Sequence, residues 1–257
     1  YIDKLFYQLT LNDNNEWRQC YQYILEKGDS FECEKLLSIY QKAIQNGNIK
    51  LLDWYQYYKI QSKIISDKNF VPQEPALNYS LISNKEFYTY WLNICGILCL
   101  KNGNYKKAED FFAEAHKYAA QNYESYIIQY NICTVYFYKQ QYKDAFKLLS
   151  KLCDSINTDD LFFLIECKLL LTVINMCMYK LQIALTGFQE VLTLKRMYQK
   201  QLRVSKPLYL CKKSPRPLCP SIDKNIYNYL GEIFYIQGDY EQAIQYHLKA
   251  VQYNKTY

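Results

Sequence analysis

The sequence predicts an all-α protein built from consecutive antiparallel helix pairs. Three observations carry that prediction. Gly (7) and Pro (6) are scarce in 257 residues, so long uninterrupted helices are expected. Half of the residues are apolar and 22% are charged, enough to build a core and too little charge for a disordered chain. Two distant segments also repeat one spacing. Gly96 is followed by Gly103, Tyr105, Ala108 and Ala115, and Gly231 by Gly238, Tyr240, Ala243 and Ala250.

That spacing has a physical reading. Two antiparallel helices need small residues where their axes come closest, so Gly96 and Gly231 are expected opposite Ala108/Ala115 and Ala243/Ala250. Gly-Asn-Tyr and Gly-Asp-Tyr form the turns, with glycine taking the left-handed conformation that ends the first helix. Asn104 and Asp239 then cap the second helix, and Tyr105 and Tyr240 are expected to pack into the hairpins. A third copy is readable at Ile132, Cys133, Tyr136, Tyr142 and Ala145. A fourth, degenerate copy keeps Thr172, Leu181, Ala184 and Phe188.

From the N-terminus, residues 1–67 read as a helical block. Trp17, Tyr21, Ile24, Gly28, Cys33 and Leu37 keep a similar register, and a helix over 49–66 lacks a partner in the pattern. Residues 68–83, with Pro72 and Pro75, read as a linker, and 84–257 as the main array. The equivalent alanines 108, 145, 184 and 243 are 37, 39 and 59 residues apart, so the last interval contains an insertion. Pro207, Pro215, Pro217 and Pro220 place it at about 203–221, which cannot be continuous helix. The chain opens at Tyr1 without methionine, so a fragment or processed product is expected. The last pair carries no polar capping helix, which predicts that further chain or another subunit covers it.

These residues resemble the tetratricopeptide repeat (TPR), a unit of about 34 residues. The likeness is strongest at Tyr227, Leu230, Gly231, Phe234, Gly238, Tyr240, Ala243 and Ala250. It implies an α-solenoid, a right-handed superhelix whose first helices line a concave groove. The residues at groove positions are then Tyr90, Asn93, Ile97, Tyr130, Thr134, Phe137, Tyr138, Leu169, Val173, Met176, Asn228, Glu232 and Tyr235. Such an aromatic surface suits an extended peptide or an amphipathic helix from a partner. Of the positions that grip a peptide's terminal carboxylate in co-chaperone TPRs, only Asn131 fits; Asn93, Ile97, Asn225 and Tyr229 occupy the others. The stretch from Tyr130-Asn131 through Gln141-Tyr142, Ala145 and Leu152, with Cys167–Val173, resembles the middle repeats of the TPR subunit of the cytoplasmic deadenylase assembly.

The resemblance implies a non-catalytic scaffold or adaptor subunit whose partners are other protein subunits. Lys195, Arg196, Lys200, Arg203, Lys206, Lys212, Lys213 and Arg216 lie between Glu190 and Asp223 with no acid among them. This basic tract, on a proline-containing loop, predicts contact with an acidic protein surface, tubulin or RNA. A helical-repeat nucleic-acid binder is the rival reading, and a ciliary or axonemal scaffold a third.

No catalytic motif, phosphate-binding glycine loop or nucleophile elbow occurs. The ten cysteines include no CxxC and there are only two histidines, so no metal or other cofactor is expected. Most cysteines sit in apolar helical patterns, which predicts buried thiols in a reducing compartment. No apolar run is long enough for a membrane span, and neither a membrane nor a small-molecule substrate is expected. Localisation is expected to be cytoplasmic, with cytoskeletal, ciliary or nuclear sites as alternatives.

Overall fold

The computed structural model describes residues 30–45, 85–119, 123–156, 161–204 and 221–252, with helical residues 55–56, 59–60 and 63 between the first two segments. Expectations for the remainder lie outside the described residues. Among these are the register of Trp17 to Gly28, the 68–83 linker and the proline segment 205–220. The described helices are α1 (Ser30–Gln45), α2 (Lys85–Lys101), α3 (Tyr105–Tyr118), α4 (Tyr123–Tyr138), α5 (Tyr142–Ser155), α6 (Leu161–Cys177), α7 (Leu181–Val204), α8 (Ser221–Ile236) and α9 (Tyr240–Gln252). No strand occurs among the described residues. The described residues divide into two compact units, one up to residue 128 and one from residue 129, the boundary falling inside α4.

Helix pairing follows from the apolar pattern. The second helices are amphipathic, each burying one narrow stripe: Ala108, Phe112 and Ala115 on α3, and Ala145, Leu149 and Leu152 on α5. That i, i+4, i+7 spacing lies on a single helical face. Among the first helices α6 is apolar nearly all round. α6 buries Phe163, Leu164, Ile165 and Cys167 together with Thr172, Val173, Ile174 and Asn175, as a helix must when neighbours cover several faces.

In the first unit α2 packs on α3, around Trp91, Leu98, Cys99 and Phe112. Tyr90 Oη donates to the Glu124 carboxylate, and Ser125 Oγ lies 3.5 Å from His116 Nδ1, so the start of α4 is tied to this hairpin. In the second unit α6 pairs with α7 and α8 with α9, while α5 packs on α6 and α7 on α8. Its core joins Ile165, Ala184, Phe188 and Val191 to Ile226, Leu230 and Ile233.

Four hairpin turns have the same backbone. At each, one residue has positive φ: Gly103 (73°), Gln140 (60°), Tyr179 (56°) and Gly238 (81°). The amide of that residue donates to the carbonyl three back, and the next amide to the carbonyl five back. Examples are Gly103 N to Leu100 O at 3.0 Å with Asn104 N to Cys99 O at 2.8 Å, and Tyr179 N to Met176 O at 2.9 Å with Lys180 N to Asn175 O at 3.0 Å. This is a Schellman cap, fused to the next helix start. Asn104 Oδ1 accepts from Lys107 N at 3.3 Å and Asp239 Oδ1 from Gln242 N at 3.1 Å, as the sequence predicts. Gln141 makes no side-chain cap bond.

The close approach differs from expectation. A Cβ on Gly96 would lie 2.4 Å from Phe112 Cε1, and one on Gly231 would lie 2.7 Å from His247 Cε1. Each glycine therefore makes room for a ring on the second helix. Ala108 and Ala115, expected opposite Gly96, are fully buried one turn either side of Phe112. In the degenerate hairpin the small residue has changed helices: a Cβ on Gly187 of α7 would lie 2.4 Å from Thr172 Oγ1 of α6. Tyr240, expected to pack into its hairpin, stays 59% exposed with its ring edge-on to Tyr235.

Candidate functional site

The predicted groove residues fall into two groups. In the first unit Tyr90, Asn93 and Ile97 are half-buried on α2, and the Tyr90 hydroxyl is engaged by Glu124. The other ten lie in the second unit, on α4, α6 and α8.

Several of those ten serve packing. The Tyr130 ring meets Phe163 of α6 edge-on, with centroids 5.9 Å apart. Burial first, and then the nearby Glu166 carboxylate, push its phenol well above the usual range. Thr134 Oγ1 donates to the Tyr130 carbonyl at 3.0 Å. Phe137, Leu169 and Met176 are partly buried against the core, and Val173 is buried, so it offers a partner almost no surface.

The rest form a surface. Tyr138 and Tyr235, at the ends of α4 and α8, are 53% and 64% exposed, Glu232 is exposed and Asn228 half-buried. Tyr229 connects them. Burial raises its phenol pKa, and the charges of Glu232, Cys177 and Tyr138 add to the effect. Tyr138, Cys177, Tyr229 and Glu232, drawn from three first helices, therefore share one neighbourhood. Tyr229 is held there by stacking on Phe188, at 5.5 Å and 15°. Glu166 lies beside Tyr130, and burial holds its carboxyl above the usual carboxylate range.

Glu166 and Cys177 are additions to the predicted positions, and Tyr229, read in the sequence only at a carboxylate-gripping position, joins them. Tyr229 follows Asn228, and the 3.6-residue period places both on adjoining strips of one helix. Glu166 directly follows the apolar run Leu161–Ile165, and an acid at that place in a helix this apolar is a signal legible in the sequence.

The basic tract is changed by the structure. Lys195, Arg196, Lys200 and Arg203 lie on α7, which continues to Val204, where a loop was expected to begin. Lys195 leaves the tract altogether: it is 6% exposed and its Nζ lies 2.5 Å from Asp223 Oδ2, pinning α7 to α8. A lysine this deep needs a carboxylate partner, and Asp223, which ends the acid-free run in sequence, supplies it. Arg196 and Lys200 are exposed, while Lys206, Lys212, Lys213 and Arg216 lie outside the described residues.

Among the described residues no group of three His, Cys, Asp or Glu is placed to hold a metal ion. Among the same residues no helix is long and apolar enough to cross a membrane.

No family model matches the sequence, and no curated protein matches it. Solved structures do match. The Rap conjugation gene regulator of plasmid pLS20, in complex with the Phr* peptide, is 17% identical with a TM-score of 0.53, covering 92% of this chain and 62% of that one. A Rap protein complexed with competence and sporulation factor is 18% identical with a TM-score of 0.62, covering 98% and 66%. The apo form of RapI is 12% identical with a TM-score of 0.67, again covering 98% and 66%. This chain thus spans just under two thirds of the length of these Rap proteins. The class the fold defines is an α-solenoid of TPR-like helix pairs.

Proposed function

We propose that this chain is a non-catalytic docking subunit that binds a peptide segment or amphipathic helix of a partner protein across the first helices of its second unit. The observation that carries this reading is the neighbourhood of Tyr138, Cys177, Tyr229 and Glu232, flanked by the exposed Tyr235. Tyrosine buries much area with few rotors, which makes it an effective anchor at protein interfaces. The Phr* peptide bound to a Rap regulator of like fold supports the reading. A photo-crosslinking amino acid at position 138 tests it in cells. A discrete protein adduct is expected from position 138 and none from position 147, an exposed lysine on α5. Equal adducts from both positions would dismiss the surface.

A second reading rests on Arg196 and Lys200, both exposed on α7. Their charge supports contact with a polyanion such as RNA, tubulin or an acidic protein surface. Arg196→Glu/Lys200→Glu should then weaken a salt-sensitive interaction; binding that ignores both the substitutions and salt would remove the tract from consideration.

A further inference from the structure

Three cysteines from three successive helices converge in the second unit. Cys133 of α4 and Cys167 of α6 have no exposed surface, whereas Cys153, in the last turn of α5, is half-buried. All three are free thiols. Cys153 and Cys167 are in hydrogen-bonding contact across the α5–α6 packing, and Cys133 lies close to both.

The two contacting thiols are not equivalent. The hydrogen bond from Cys167 stabilises a thiolate on Cys153 and holds its pKa below the usual thiol value. Burial opposes this, and the charge of Lys168 assists it. Asp154 and Glu190 act in the other direction, and Lys168 also pairs with Glu190 at 3.0 Å. Cys167 is pushed upward by the same hydrogen bond and by burial. Burial pushes the Cys133 thiol up to about 12. Of the two sulfurs in contact, only Cys153 has exposed surface, and its thiol is the more readily ionised.

We propose that Cys153 and Cys167 are an oxidisable pair, in which Cys153 reacts with hydroperoxides and Cys167 resolves the product into a disulfide joining α5 to α6. In the first step the Cys153 thiolate attacks a peroxide oxygen. An S–O bond forms, the O–O bond breaks, and hydroxide or alkoxide leaves with its electron pair, giving the sulfenic acid. In the second step Cys167 sulfur attacks Cys153 sulfur, the S–O bond breaks, and water leaves carrying the Cys167 proton. Two thiols are oxidised by two electrons and one hydroperoxide is reduced. The new bond fastens the α4/α5 hairpin to the α6/α7 hairpin, and so fixes the spacing of Tyr138 and Cys177 on the docking surface.

The test uses the full reduced chain treated with hydrogen peroxide, alkylated, digested and mapped by mass spectrometry. The expected result is a peptide pair linked through Cys153 and Cys167, lighter by two hydrogens and separated again by dithiothreitol. Cys167→Ser should accumulate a dimedone-reactive sulfenic acid on Cys153. Cys153→Ser should show neither the linked pair nor a dimedone adduct at Cys167. The proposal is overturned if peroxide modifies other cysteines while Cys153 stays unmodified. It is also overturned if Cys153 is joined to a different cysteine, or proceeds to the sulfinic acid without a linked peptide. If the serine variants fail to show the helical far-UV spectrum of the parent, the map of the unsubstituted chain alone decides.

Discussion

The hairpins α8/α9 and α6/α7 belong to one unit and share one turn geometry, yet they are built from different residues. In α8/α9 a glycine takes the left-handed position, an aspartate caps the second helix, and Gly231 admits the His247 ring. In α6/α7 Tyr179 takes the left-handed position and Lys180, which cannot accept a hydrogen bond from a backbone amide, stands where Asp239 stands. The close approach is made by Gly187 against Thr172. Asn175, buried in α6, donates to Leu171 O at 3.1 Å while its Oδ1 has no hydrogen-bond partner. The degenerate hairpin keeps the backbone and departs from each local preference. Compensation comes from burial: Ile165, Val173, Ile174, Ala184, Leu185, Phe188 and Val191 are all buried in it, whereas α9 exposes Tyr240, Ile244, Leu248 and Val251. A hairpin inside a stack can rely on its neighbours for stability, and one with an open face depends more on its own turn.

The sharpest way to break this comparison is to fill the two close approaches. Gly231→Ala and Gly187→Ala should each destabilise the chain by about 1–3 kcal/mol, read from denaturant midpoints. Adding Thr172→Ala to Gly187→Ala should recover much of the loss, because the clash is with the threonine hydroxyl and methyl. Additive effects in that double-mutant cycle would refute the exchange of a small residue between helices. Next in size are the caps. Asp239→Ala should cost about 1 kcal/mol, and Lys180→Asp should stabilise by about 0.5–1 kcal/mol, reduced by loss of the Lys180 contact 4.8 Å over the Phe146 ring.

The left-handed positions should give a pair of effects of opposite sign, no larger than those of the caps. Tyr179→Gly relieves a conformation that costs a side-chain-bearing residue about 1–2 kcal/mol, and glycine's greater chain entropy returns part of it. A net gain of about 0.5 kcal/mol is expected, with no packing loss since Tyr179 is 81% exposed. Gly238→Ala should cost about 1 kcal/mol. Smallest is a pH effect at Glu166. Its folded carboxyl binds a proton more tightly than the unfolded chain's. That contribution to stability is complete below the unfolded pKa and is lost as pH rises through the folded one. Glu166→Gln should therefore melt above the parent at neutral pH, the gap closing as pH falls into the ordinary carboxylate range.

The paired-helix fold was legible because two hairpins keep their glycines, caps and alanines at fixed spacing, and chemistry that local needs little tertiary information. Gln140 and Tyr179 were not legible as left-handed residues, since only the stack enforces that conformation where no glycine invites it. Small residues at 96 and 231 could be read, but their ring partners could not, because spacing alone gives the face of a helix and not the atom opposite. Of the residues predicted for the candidate surface, Tyr138, Glu232 and Tyr235 are exposed on first helices, whereas Val173 is taken up by the core; of the basic tract, Lys195 is taken up by Asp223. Those two depend on burial from a neighbouring hairpin, which periodicity within one helix does not encode.

The central claim is that the first helices of the second unit hold a partner protein. The direct measurement is quantitative mass spectrometry of what co-purifies with the tagged chain, beside a Tyr138→Ala/Tyr235→Ala variant. Both tyrosines are more than half exposed, so the variant should fold as the parent does. The account predicts a fixed set of stoichiometric proteins that the folded variant loses at least about tenfold, equivalent to about 1.4 kcal/mol. The same proteins retained in the same ratio would contradict it.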